Sequence, residues 1–192
     1  MIEAAAAFLA WLGAGLVVLA DGRRGLALGL ALLTTGFAVL AWAGGQPAGA
    51  VAVAGGGLIG SVRCWRSGSA WGLMPAGSTP RLVLCVAAAL VGLWVAASVT
   101  TGAAAPLRFA VLVALGLMGS RVLASRETAI VLTSIAAFSL ALAAAPGLAS
   151  TSPGPAPDLI GGLIAAGVMF VPAREARDPR AQAAIKGRVG GG

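Results

Sequence analysis

The chain has no histidine, no tyrosine, a single lysine (Lys186) and only six acidic residues among its 192 positions. These side chains commonly supply acid and base catalysis, metal coordination and Schiff-base chemistry in proteins. Their scarcity excludes His-Glu-x-x-His zinc proteases, histidine-dependent serine hydrolases and histidine-ligated haem. We therefore expect no enzymatic activity, no metal site and no cofactor.

Cysteine is also rare, with two residues, Cys64 and Cys85, whose spacing fits no metal-binding pattern. The sequence places Cys64 in a cytoplasmic loop and Cys85 inside a helix. Since disulfides are not expected on the cytoplasmic side, we expect two free thiols.

Charge is sparse throughout the chain. Charged residues make up 10% and apolar residues 59%, and the mean hydropathy is +0.96, whereas an ordinary soluble domain has roughly 25% charged residues. Spanning a bilayer takes about 20 apolar residues per helix. The sequence predicts an all-α, polytopic membrane bundle over 1–173, followed by a basic cytoplasmic tail over 174–192. Its seven predicted helices lie near 4–20, 25–43, 47–62, 82–100, 107–124, 128–146 and 159–173.

The basic residues indicate an orientation. If the seven helices alternate in direction, every basic side chain except Arg108 falls on one side, and the positive-inside bias makes that side cytoplasmic. We therefore expect the N-terminus outside and the C-terminus inside, in a plasma (inner) membrane. The excess of arginine over lysine and the abundance of alanine and glycine are typical of a GC-rich bacterial genome.

The start of the chain lacks the basic segment of a signal peptide, so the first apolar run is expected to remain as a helix. Nucleic acid is excluded as a partner, because the basic residues lie at helix ends and do not interleave with aromatics.

Glycine, with 29 residues, indicates how the helices pack. In lipid, small residues four positions apart allow neighbouring backbones to touch. The pair Gly25 and Gly29, the pair Gly56 and Gly60, and the run Gly55-Gly56-Gly57 are therefore predicted packing positions. A glycine run also costs helix stability, so it is also compatible with a broken helix that exposes its backbone to a substrate.

Four charged residues are candidates for contact with partners or lipids: Arg108, Arg121, Arg126 and Asp158. Arg108 either extends to the membrane surface or pairs with a carboxylate, of Asp158 or of another subunit. Asp158 fits the first turn of the last helix. Arg121 and Arg126 flank a cytoplasmic turn, where they set orientation or hold a lipid headgroup.

Two functions fit these features. The first is a non-catalytic accessory subunit of a larger membrane complex, such as a respiratory or ion-translocating complex, packed on partner helices and lipids. The opening hairpin with its basic turn Gly22-Arg23-Arg24 resembles the start of small hairpin subunits of complex I-like and cation-antiporter complexes. Those subunits carry a glutamate in their second helix that this chain lacks.

The alternative is a small-solute facilitator or channel. Seven helices with the N-terminus outside resemble small sugar facilitators built as 3+1+3 helices, although their Pro-Gln signature is absent here. The tetrapeptide Gly-Gly-Leu-Ile at 56–59 and 161–164 is compatible with such a repeat. Polar lining would come from Thr34, Thr35, Thr133 and Ser134, unless these hydroxyls bond their own helices.

The orientation can be tested by cysteine labelling. In a variant without the two native cysteines, a cysteine replacing Ser152 should react with an impermeant reagent in intact cells, because its loop is expected outside. A cysteine replacing Ser67 should react only after the cells are opened. The reverse pattern would contradict the orientation.

Overall fold

The computed structural model describes residues 1–68, 79–99, 105–125, 127–148 and 155–171, and in these ranges the chain is all-helical with no strand. The prediction of an all-α fold is confirmed. The helices are α1 (Ile2–Leu19), α2 (Arg23–Ala43), α3 (Pro47–Arg66), α4 (Thr79–Val99), α5 (Ala105–Ala124), α6 (Thr128–Ala144) and α7 (Ala156–Val168), and a 3₁₀ turn (Ala145–Leu148) follows α6.

Helices α3 and α7 differ from their predicted bounds. Helix α3 continues to Arg66, because Arg63 and Arg66 in its last turn are favourable near the negative end of the helix dipole. Cys64 therefore lies in α3, where it is buried, and the prediction that it lies in a loop was wrong. Helix α7 begins at Ala156 and ends at Val168, earlier than predicted at both ends.

The turn between α2 and α3 shows how local sequence sets a helix boundary. Gly45 has a φ of 77°, a left-handed conformation that favours glycine. Its amide donates to the Trp42 carbonyl, and the Gln46 amide donates to the Ala41 carbonyl, which is a Schellman motif. Pro47 then begins α3, where its missing N–H costs nothing.

Among the described residues, five helical segments are long and apolar enough to cross a membrane: α1, α2, α3, α5 and α6 with its 3₁₀ turn. The apolar stretches of α4, Thr79–Val95, and of α7, Ala156–Val168, are shorter. Length and composition therefore support five spans directly.

The helices form two layers. Helices α1, α2 and α3 pack side by side in one layer, and α5, α6 and α7 pack side by side in the other. Across the layers α1 contacts α5, α2 contacts α6 and α3 contacts α7, while α4 lies outside against α5 and α1. This pairing is the arrangement of a 3+1+3 bundle.

The helices alternate in direction, and the described arginines other than Arg108 gather at one end. There Asp21, just after α1, contacts Arg81 of α4 and Arg121 of α5, and Arg23 of α2 bonds Ser67 after α3. We call this end of the bundle the arginine end. Arg108 and Asp158 lie towards the opposite end.

Helix α2 supplies much of the core. Its large side chains recur at alternating spacings of four and three, so they share one face of the helix. That face is buried and comprises Leu26, Leu30, Leu33, Phe37 and Leu40. By contrast α4 exposes many large apolar side chains, including Leu90 and Trp94, as expected for a helix facing lipid or a partner.

Candidate functional site

Described helices approach each other closely at glycines, and the contact of α3 with α7 is one example. A methyl group added at Gly56 would overlap the backbone of Gly162, and one added at Gly162 would lie 2.5 Å from the Ala52 oxygen. One turn further along α3, a methyl at Gly60 would lie 3.3 Å from the Ala165 oxygen. The two backbones therefore touch, which only residues without side chains permit.

The three glycines of the run face different directions, because successive helix positions differ by about 100°. Gly56 faces α7, and a methyl at Gly57 would overlap the Thr34 side chain of α2. Gly55 is exposed, and a methyl there would meet nothing within 4 Å. Gly55 therefore packs against no other described helix, and its predicted packing role stays a prediction. Helix α3 is continuous through the run, so the backbone of this segment is not opened to a substrate.

The contact between α1 and α2 also depends on glycine. A methyl at Gly29 would lie 2.8 Å from the Val17 amide nitrogen, and one at Gly36 would lie 2.6 Å from the Ala10 nitrogen. A methyl at Gly13 would overlap the backbone of Leu33. Gly25, which lies in α2, is also buried. Sequence reasoning missed Gly13 and Gly36, although the spacing of Ala6, Ala10 and Gly13 was a usable signal.

The repeated Gly-Gly-Leu-Ile does not mark equivalent positions. Gly56 contacts α7, whereas its counterpart Gly161 lies against Ser139 and Ala143 of α6. If a repeat related α3 to α7, the contact of Gly56 with α7 would require its counterpart Gly161 to contact α3. The tetrapeptide therefore gives no support to a repeat that relates the two layers.

Most hydroxyls proposed as a polar lining are bonded to their own helices. Thr34 donates to the Leu30 carbonyl at 2.7 Å, Thr35 to Ala31 at 2.8 Å, and Thr133 to Ala129 at 2.8 Å. Ser134 is fully buried, and its Oγ has no hydrogen-bond partner in the structure. The Thr133 hydroxyl also lies 4.0 Å from the Cys64 sulfur.

At the arginine end, Asp21 is the centre of an ionic cluster. Its carboxylate accepts from Arg81 at 2.9 Å and from Arg121 at 2.5 Å, and Arg121 also donates to the Ala20 carbonyl at 3.0 Å. The cluster joins the turn after α1 to the start of α4 and the end of α5. Arg121 is only 4% exposed. Within the described chain its charge is balanced by Asp21, and its contact with a partner or a lipid stays a prediction.

Two further charged candidates, Asp158 and Arg108, lie away from the ionic cluster, towards the opposite end of the bundle. Asp158 is 6% exposed and sits in the first turn of α7, where its carboxylate lies against Gly49 of α3. Arg108 does not pair with Asp158 in the described chain, and its Nη1 is buried without a hydrogen-bond partner. Arg126 lies outside the described residues.

Among the described residues, no three histidine, cysteine or acidic side chains come together as metal ligands. Both cysteines are free and buried. The chain matches no family model, no curated protein and no solved structure. The described residues thus present packing contacts between helices and an ionic cluster at the arginine end.

Gly55 and Gly56 give a matched test of the packing. We expect Gly56→Leu to lower the thermal unfolding midpoint in detergent by roughly 5 °C or more, because the added side chain must separate α3 from α7. Gly55→Leu should leave the midpoint unchanged or raise it slightly, since leucine favours helix over glycine by roughly 1 kcal/mol. Equal effects of the two changes would refute the contact.

Asp21→Asn tests the ionic cluster. Removing the carboxylate leaves the buried Arg121 charge unbalanced, and we expect a loss of about 3 kcal/mol in unfolding free energy. Combining it with Arg121→Met should restore part of the loss, while Glu127→Gln, at an exposed carboxylate nearby, should have little effect. Denaturation of each variant measures this, and additive losses in the double variant would contradict the pairing.

Proposed function

We propose that the chain is a multi-pass, non-catalytic accessory subunit that packs against partner helices and lipids in a bacterial inner membrane. In this proposal all seven helices span the membrane, with the arginine end in the cytoplasm. The observation that carries this proposal is that the interior of the bundle serves for packing. Glycines there bring the helices into backbone contact, and the buried threonines bond their own helices.

The outer surface supports the same proposal. Helix α4 touches mainly α5 and α1 and exposes large side chains such as Val83, Leu90 and Trp94, which would be covered by lipid or by another subunit. A surface groove of about 350 Å³ between α2 and α3 is lined by residues that include Trp42, Val51 and Leu58. Those three side chains are exposed, so the groove opens outward.

A solute facilitator is the second candidate, and the pairing of α1 with α5, α2 with α6 and α3 with α7 favours it. Transport would require a path between the two layers. The contact between Gly56 and Gly162 closes that space on one side, so the layers would have to separate during transport.

Reconstitution distinguishes the two functions. If the chain is an accessory subunit, purified protein in liposomes should give no solute or ion flux above empty liposomes. Mild-detergent purification from native membranes should then recover other membrane subunits at fixed stoichiometry. The Gly55→Leu variant, which should keep the helix packing, serves as the folded control in both assays. Robust flux through the isolated chain, without a recovered partner, would refute the proposal in favour of a facilitator.

A further inference from the structure

The arginine end carries more positive charge than the described carboxylates can balance. In the described chain its carboxylates are Asp21 and Glu127, and Asp21 already lies between Arg81 and Arg121. Its arginines are Arg23, Arg24, Arg63, Arg66, Arg81 and Arg121. Of these six, Arg63 and Arg66 are exposed at the surface of the bundle.

Arg63 and Arg66 are the clearest part of this excess. Both lie in the last turn of α3, three positions apart, and both are exposed. In the described part of the chain neither has a carboxylate within ion-pair distance, since the ion pairs there join Asp21 to Arg81 and Arg121. Their counter-charge is therefore expected from outside these residues.

Two aromatic rings hold guanidinium groups at this level. The Arg63 guanidinium lies 5.0 Å from the Phe170 ring centre, and the Arg24 guanidinium lies 5.4 Å from the Trp65 ring centre. Phe170 is 58% exposed and Trp65 is 41% exposed. Aromatic side chains at helix ends are typical of the membrane interface, where rings contact acyl chains and cations contact headgroups.

The surface of α3 next to these arginines, towards the middle of the helix, is apolar. One turn deeper into α3, Ile59 and Val62 are each 51% exposed, and neither is covered by another described helix. A soluble acidic protein would leave these side chains uncovered, whereas a phospholipid would cover them with its acyl chains. The combination of charge and apolar surface therefore fits a lipid better than a soluble partner.

We propose that Arg24, Arg63, Arg66, Trp65 and Phe170, which we call the interfacial arginine patch, bind the phosphate headgroup of an anionic phospholipid. The guanidinium groups recognise the phosphate oxygens, and the net negative charge of the lipid balances the charge of Arg63 and Arg66. The proposal rests on the membrane location in the proposed function and names the class of lipid that the subunit binds.

Lipid titration of the full chain, followed by native mass spectrometry, tests this site. The probes are phosphatidylglycerol, phosphatidylcholine and glycerol phosphate, which separate headgroup charge from acyl chains. The wild type should bind phosphatidylglycerol several-fold more tightly than phosphatidylcholine, and glycerol phosphate should not compete at equal concentration. Added salt should weaken the preference, because exposed charges are screened.

The variants locate the site. Arg63→Gln with Arg66→Gln should weaken phosphatidylglycerol binding roughly five-fold for each arginine removed, with phosphatidylcholine binding unchanged. The matching lysine substitutions should retain part of the preference, and Arg108→Gln, at the opposite end, should retain all of it. Circular dichroism and size-exclusion elution confirm that each variant folds.

Three results would overturn the proposal: equal binding of the two lipids by the wild type, an undiminished preference in the double glutamine variant, or full competition by glycerol phosphate. Any of these with a native partner still recovered would leave the accessory-subunit proposal intact. Flux through the isolated chain would instead refute the accessory function and leave the lipid site standing.

Discussion

Backbone contact between helices is the constraint on which the rest of this structure depends. In a membrane there is no hydrophobic force to drive one helix against another, so close approach and dispersion must hold the bundle together. The chain meets this requirement with glycine at the points of closest approach, Gly13 and Gly29 between α1 and α2 and Gly56 and Gly162 between α3 and α7. The larger core side chains, such as Leu30 and Phe37, fill the space that these contacts define.

Charge is confined to the ends of the same bundle and has two different uses there. Asp21 balances Arg121 of α5, which is nearly inaccessible, and also contacts Arg81 of α4. These two contacts tie the peripheral helix α4 to α1 and α5. Arg63 and Arg66 remain exposed at the surface, and the Arg63 guanidinium lies over the Phe170 ring. Arginines that look alike in the sequence thus differ, because Asp21 compensates Arg121, whereas no carboxylate among the described residues pairs with Arg63 or Arg66.

The sequence alone predicted the helices well, because each apolar run is bounded by glycine, proline or charge, as at Gly44 to Pro47. It also predicted Gly56 and Gly60, since their spacing places them on one helix face. It could not show that Gly55 lies outside these contacts, because hydropathy does not reveal which neighbouring helix each face of α3 meets. Nor could it pair Asp21 with Arg121, which lie a hundred positions apart and meet only through the tertiary fold.

The most direct test of the packing is cross-linking between α3 and α7. In a chain lacking Cys64 and Cys85, cysteines replacing Gly60 and Ala165 should form a disulfide on mild oxidation, because a Cβ at Gly60 would lie 3.3 Å from the Ala165 oxygen. Protease cleavage between the two positions would leave the fragments joined. Cysteines replacing Gly55 and Ala165 should stay unlinked, since Gly55 faces away from the other described helices. Efficient linking through Gly55 and none through Gly60 would contradict the packing.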